Sequence, residues 1–194
     1  MPSPRDSSTF ATAAIPEPFQ VLGLRLKPFT LGHYILMRRF GCGFVSDEQA
    51  EISKGDLLLA VLICSMSHKE FIEFIEDSSC DSQVLKWGEK CGHFDFVEKC
   101  RLFQSYLDSS FYSPAYSVTG EGGKSDGDWA QNLKLGMMIK LNASEEDVLN
   151  TPLSSLLSDY FRIAEMDGLI RIQTVEEKEI ADNNAKLLEA LCQA

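Results

Sequence analysis

Side chains that start helices recur along this chain at short intervals, and that recurrence constrains its fold more than any other feature. A Ser or Thr just before a helix accepts a hydrogen bond from an amide the helix leaves free, and an acid three residues on reaches back to the cap's own amide. Ser67-His68-Lys69-Glu70 spells this pairing, Ser144-Glu145-Glu146-Asp147 repeats it, and Thr174 stands three residues before Glu177. Thr30 and Thr151 add two more starts, the second with Pro152 at the first helical position, where its fixed φ suits a helix and no N–H is needed. With a sixth start at Asp56, whose acid suits the positive end of a helix, these segments predict a mainly α protein, an irregular helical bundle with a short N-terminal β-strand or hairpin.

Apolar spacing fills in the elements. Phe19 to Lys27 alternates, with Leu22, Leu24 and Leu26 on one face and Gly23, Arg25 and Lys27 opposite, the pattern of a short strand that must pair with another segment. From Thr30 a helix carries Leu31, Tyr34, Ile35 and Met37 as far as Phe40, and Gly41-Cys42-Gly43 stops it. A second helix is expected from about Asp56 to Ser65, and a third after Ser67, with Phe71, Phe74 and Ile75 at helical spacing. Residues 82–112 read as one long helix or two, with a break expected near Gly92. Trp129 to Leu141 is helical in pattern, a helix from Thr151-Pro152 runs to about Met166 before Asp167-Gly168, and a last one follows Thr174 to the C-terminus. The expected organisation is a flexible arm over 1–18, a helical domain over 19–112, a Ser-, Pro-, Gly- and Asp-rich flexible linker over 113–128, and a C-terminal helical part over 129–194 packed on the first.

Charge narrows the partners. With 29 acids against 18 bases the net charge is −11, which repels phosphate backbones, and Arg38-Arg39 is too short a basic patch to reverse that. No nucleic-acid partner is therefore expected. The most apolar run, Leu57 to Cys64, covers about 12 Å as a helix, far short of a bilayer, so it reads as a buried core helix and no membrane partner is expected. The first eighteen residues hold no apolar run of secretory length, so a cytoplasmic location is expected and the six cysteines read as reduced thiols.

Each candidate for chemistry has a plainer competitor. Gly120-Glu121-Gly122-Gly123-Lys124-Ser125 resembles the end of a phosphate-binding loop, yet Val118 stands where the motif needs its first glycine, so a flexible linker is the better reading. Cys80, Cys91, His93 and Cys100 are ligands of the type zinc takes, but they lack the close pairs that place such ligands on a turn. A thiol nucleophile needs an imidazole beside it, and Cys91 and His93 point to different faces of a helix. His33 is expected to cap or pack, and His68, inside a capping box, to be solvated. The acid runs at Glu73-Glu76-Asp77, Glu145-Glu146-Asp147 and Glu176-Glu177-Glu179 suit helix ends and solvated faces. No catalytic residue, cofactor or metal is expected.

Two stretches carry a family resemblance. Leu24-Arg25-Leu26-Lys27-Pro28-Phe29-Thr30-Leu31-Gly32-His33-Tyr34, followed by the helix that begins Asp56-Leu57-Leu58-Leu59 and ends in Cys64-Ser65, resembles phage-type tail assembly chaperones and related prophage proteins. Glu146-Asp147-Val148-Leu149-Asn150-Thr151-Pro152-Leu153 is similar to the close of such proteins, a helical turn followed by Pro-Leu and a long helix. Together they cover about a third of the chain, whereas the cysteine-containing middle, Cys80 to Tyr112, departs from the group's pattern. The resemblance implies a virion-assembly factor, absent from the mature particle, that keeps a tape-measure protein soluble and brings tail-tube subunits to it. We expect a non-enzymatic protein-interaction factor holding a helical partner segment in an apolar groove, with Leu31, Tyr34, Ile35, Leu58, Val61, Phe71 and Phe74 as contact residues. The arm and the final helix are expected to add contacts or self-association. A bacterial helical adaptor or regulatory protein is the alternative, followed by a small thiol- or zinc-dependent enzyme using Cys91.

Overall fold

A computed structural model describes residues 19–46, 51–111, 113–119, 128–174, 176–180 and 183. The expected N-terminal arm, the phosphate-loop-like segment and the far part of the last helix lie outside them. The protein is mainly α, as the caps predict.

The N-terminal alternation belongs to a hairpin that folds on itself. β1 (Gln20–Val21) and β2 (Leu24–Arg25) pair antiparallel, joined by Leu22 and Gly23, both at positive φ (+50° and +79°). Such a turn matches the twist of its strands but suits Asn or Gly, so Leu22 is held in a conformation that disfavours a side chain. The turn overturns the expected common face of Leu22, Leu24 and Leu26. Val21 and Leu26 are buried, whereas Leu22 and Leu24 remain half-exposed.

The helices start where their caps stand. Thr30 caps α1 (Leu31–Arg39), accepting from the His33 amide, and Gly41 at φ +67° lets the chain leave it. α2 (Lys54–Ser65) begins two residues before the Asp56 start read from the sequence, because Ser53 is the cap and Asp56 its reciprocal partner. Asp56 also accepts from the Gly43 amide, so it ties the 3-10 turn Gly43–Val45 to α2. α3 (His68–Glu76) carries the expected Ser67–Glu70 box. α4 (Cys80–Cys91) stops at Gly92 and α5 (Phe96–Ser110) starts from Asp95, so the middle of the chain is two helices broken where Gly92 stands.

Past the middle, Tyr116–Val118, inside the stretch read as linker, forms β3 and pairs antiparallel with β4 (Ile170–Ile172). α6 (Trp129–Leu141) is capped by Asp128, and α7 (Glu145–Asn150) by Ser144. Thr151, read as the cap of the next helix, instead closes α7 by donating its hydroxyl to Asp147 O at 2.7 Å. Pro152 itself has non-helical backbone, at φ −51° and ψ 130°, so α8 (Leu153–Met166) starts one position late, with Pro152 at its cap.

One short segment holds these elements together. Between β2 and α1, Lys27 donates its amide to Cys64 O of α2 and accepts from the Tyr106 hydroxyl of α5, each at 2.8 Å. Phe29 O accepts from the Leu153 amide of α8 at 2.7 Å. Pro28 between them has no N–H to satisfy. Around this segment lies the core, with Phe29, Leu31, Met37, Leu57, Val61, Phe71 and Phe103 all at most 1% exposed.

Candidate functional site

The residues that carry the family resemblance build a structural junction. His33 is fully buried, and both ring nitrogens are taken: Nδ1 accepts from the Thr30 amide at 3.2 Å and Nε2 donates to Met66 O at 2.7 Å. Burial lowers its pKa to about 4 against the raising effect of the Met66 carbonyl, with His68 and Lys27 lowering it further. A protonated ring would also turn an N–H toward the Thr30 N–H. His33 is thus a neutral clamp between the start of α1 and the loop joining α2 to α3.

Gly32 completes the junction. A Cβ there would lie 2.7 Å from Leu149 O of α7 and 2.9 Å from the His68 Cβ, so α1 meets α7 and α3 at a distance only glycine permits. His68, expected in solvent, is half-buried against this contact, and burial lowers its pKa. Beside the junction, a cleft of about 270 Å³ is bounded by Lys27, Ser67, Lys69 and Glu146.

Of the seven residues expected to hold a partner, the structure takes up four internally. Leu31, Val61 and Phe71 are at most 1% exposed, and Tyr34 is 6% exposed. Tyr34 accepts from Trp129 Nε1 at 3.0 Å and stacks at a tilt on that ring at 4.6 Å, while Phe111 packs on both. These aromatics seam α1 to α6. Ile35, Leu58 and Phe74 remain partly exposed. Phe74 lies beside Phe71, which Phe40 meets edge-on.

Among the described residues, more open apolar side chains lie on α6. In α6, Leu133 and Met137 face the core, whereas Leu135 and Ile139 are 53% and 77% exposed. A two-residue offset turns a helix by about 200°, so these are two apolar stripes on opposite sides of one helix. Lys140 of α6 pairs with Asp167 just after α8 at 2.7 Å, and the apolar neighbours of that pair are open: Leu141 at 46% and Met166 at 86%. Such a second stripe is a face that another apolar helix could cover. The Leu133-to-Leu141 run carried that signal in the sequence, and capping and periodicity alone passed over it.

The thiols and imidazoles are placed without mutual activation. Burial raises Cys42 to about 11 and drives Cys64 higher still, beside the Tyr106 hydroxyl. Desolvation also raises Cys80, Cys91 and Cys100. A raised thiol is a poor nucleophile at neutral pH. Among the described residues no three His, Cys, Asp or Glu side chains gather as a metal site, and no helix is long and apolar enough to cross a membrane. No family model matches the chain, and no curated protein or solved structure matches it either.

Proposed function

We propose that the chain is a non-enzymatic protein-interaction factor that holds an apolar helical segment of a partner, and that its role is that of a phage-type tail assembly chaperone. The observation that carries the first part is the second apolar stripe of α6, Leu135 and Ile139, with Leu141 and Met166 open beside the Lys140–Asp167 pair. An amphipathic partner helix would bury its own stripe there. The net charge of −11 favours solubility for a protein that presents such a surface. Support for the chaperone role comes from the Thr30-Leu31-Gly32-His33 and Thr151-Pro152-Leu153 resemblance, whose residues form the junction and the start of α8. The tape-measure protein is the proposed partner, with tail-tube subunits brought to it.

Co-expression with a phage tape-measure protein tests the proposal. The expected result is co-purification and a gain in that protein's solubility, both abolished by Leu135→Asp with Ile139→Asp in a chain that still unfolds cooperatively. Failure to co-purify, with no gain in solubility, would reject the chaperone role.

A further inference from the structure

A second cleft, away from the α6 stripe, lies between the β1–β2 turn and the corner where α4 meets α5. Its volume is about 460 Å³, within the range of small-molecule sites. Leu22 and Leu24 form one wall and Trp87 and Phe94 the other, all half-buried, and Cys91 Sγ sits at the base, 3.9 Å from Leu22 O. Leu22 reaches this wall from a backbone at φ +50°, where Asn or Gly would be unstrained. The turn therefore accepts strain to place a leucine there.

Lysines stand at the rim. In a chain of net charge −11, Lys90 and Lys99 edge the cleft and Lys54 Nζ stands 6.0 Å from the centre of the Phe94 ring. Lys99 is paired with Glu98 at 2.9 Å, but neither Lys90 nor Lys54 has a carboxylate partner among the described residues. Apolar walls under unneutralised ammonium groups suit a ligand with a greasy body and one negative head.

We propose that this cleft binds a small amphipathic monoanion, an aliphatic body ending in one carboxylate, with the chain against Leu22, Leu24, Trp87 and Phe94 and the head at Lys90. The cation–π partner Lys54 adds a second positive charge above the aromatic wall. Cys91 forms an apolar floor, its thiol pKa raised by burial.

Decanoate, titrated below its micelle concentration against the full chain, tests this. Saturable binding is expected with Kd on the order of tens of micromolar. Decanol, with the same chain and no charge, is expected to bind roughly tenfold more weakly, as is decanoate to the exposed-site variant Lys90→Glu. A second readout needs no variant. Bound decanoate is expected to slow alkylation of Cys91 by N-ethylmaleimide at least fivefold, by roughly the occupancy reached, and to leave Cys80 at the other end of α4 unchanged. Equal affinity for decanol, undiminished binding by Lys90→Glu, or equal protection of Cys80 and Cys91 would each overturn the proposal, as would no saturation at about 1 mM.

Discussion

The junction at His33 and the outer side of α6 are both rich in chemically conspicuous residues, yet they differ in what those residues face. At the junction both ring nitrogens of His33 have partners within the chain, and Gly32 brings α1 into close contact with α3 and α7. On α6 the apolar side chains of Leu135 and Ile139 are 53% and 77% exposed among the described residues. Residues that resemble a family motif here serve architecture, and residues that resemble no motif supply the free surface. The motif here is made of a cap, a core leucine, a close-contact glycine and a buried imidazole, each serving packing.

Substitutions measure that difference, beginning with the largest effect. His33→Leu removes the ring that satisfies the Thr30 amide and the Met66 carbonyl, and two unpaired groups in a buried site cost about 4 kcal/mol together. Urea unfolding should report it, and a loss below about 1 kcal/mol would mean that the clamp is dispensable.

Acid should reproduce part of that loss in the parent chain. His33 titrates near its ordinary 6.5 when unfolded and at about 4 when folded, so between those values the unfolded chain binds the extra proton. Its contribution is complete above pH 6.5, declines as the pH falls, and is gone below about 4, a span of roughly 3 kcal/mol. His68 shifts in the same direction. Glu70, held at about 2 by Lys27 and the Ser67 cap, loses its contribution only between 4.5 and that value. Unfolding curves across pH 7 to 4 should therefore slope steeply in the parent and less in His33→Leu; equal slopes would remove His33 as the cause.

Smaller effects complete the comparison. Gly32→Ala forces α1 away from the Leu149 carbonyl and should cost about 2 kcal/mol, read as a lower urea midpoint with unchanged slope. Ile139→Ser, on the open stripe, should change stability by no more than about 0.5 kcal/mol, because its side chain is 77% exposed. A cost of about 2 kcal/mol there would show that the α6 stripe is internal packing after all and would remove the surface on which partner capture is proposed.

What could be read from the chain alone follows the range of the forces involved. Ser67 and Glu70, Ser144 and Asp147, and Thr174 and Glu177 lie one helical turn apart, so their hydrogen bonds were legible and the structure contains them. Gly92 as a break was legible for the same reason. The seven expected contact residues were legible only as apolar, because periodicity marks the face a helix buries without telling whether the burial is internal. Leu31, Tyr34, Val61 and Phe71 turned out to be internal, and the second stripe on α6 needed the first to be assigned before it stood out.

By itself, then, the sequence determined the mainly α character and most helix boundaries, since caps, stops and periodicity act within a few residues of one another. Tertiary structure alone decided that Phe19 to Leu26 closes as a hairpin, that Thr151 closes one helix and leaves Pro152 to start the next, and that the stretch from Lys27 to His33 ties α2, α5 and α8 together. The bonds of that last segment to other helices join residues far apart in the chain, as between His33 and Met66, between Lys27 and Tyr106, and between Phe29 and Leu153. Such contacts depend on loop closure and on the collective shape of the core, which no short window of residues encodes.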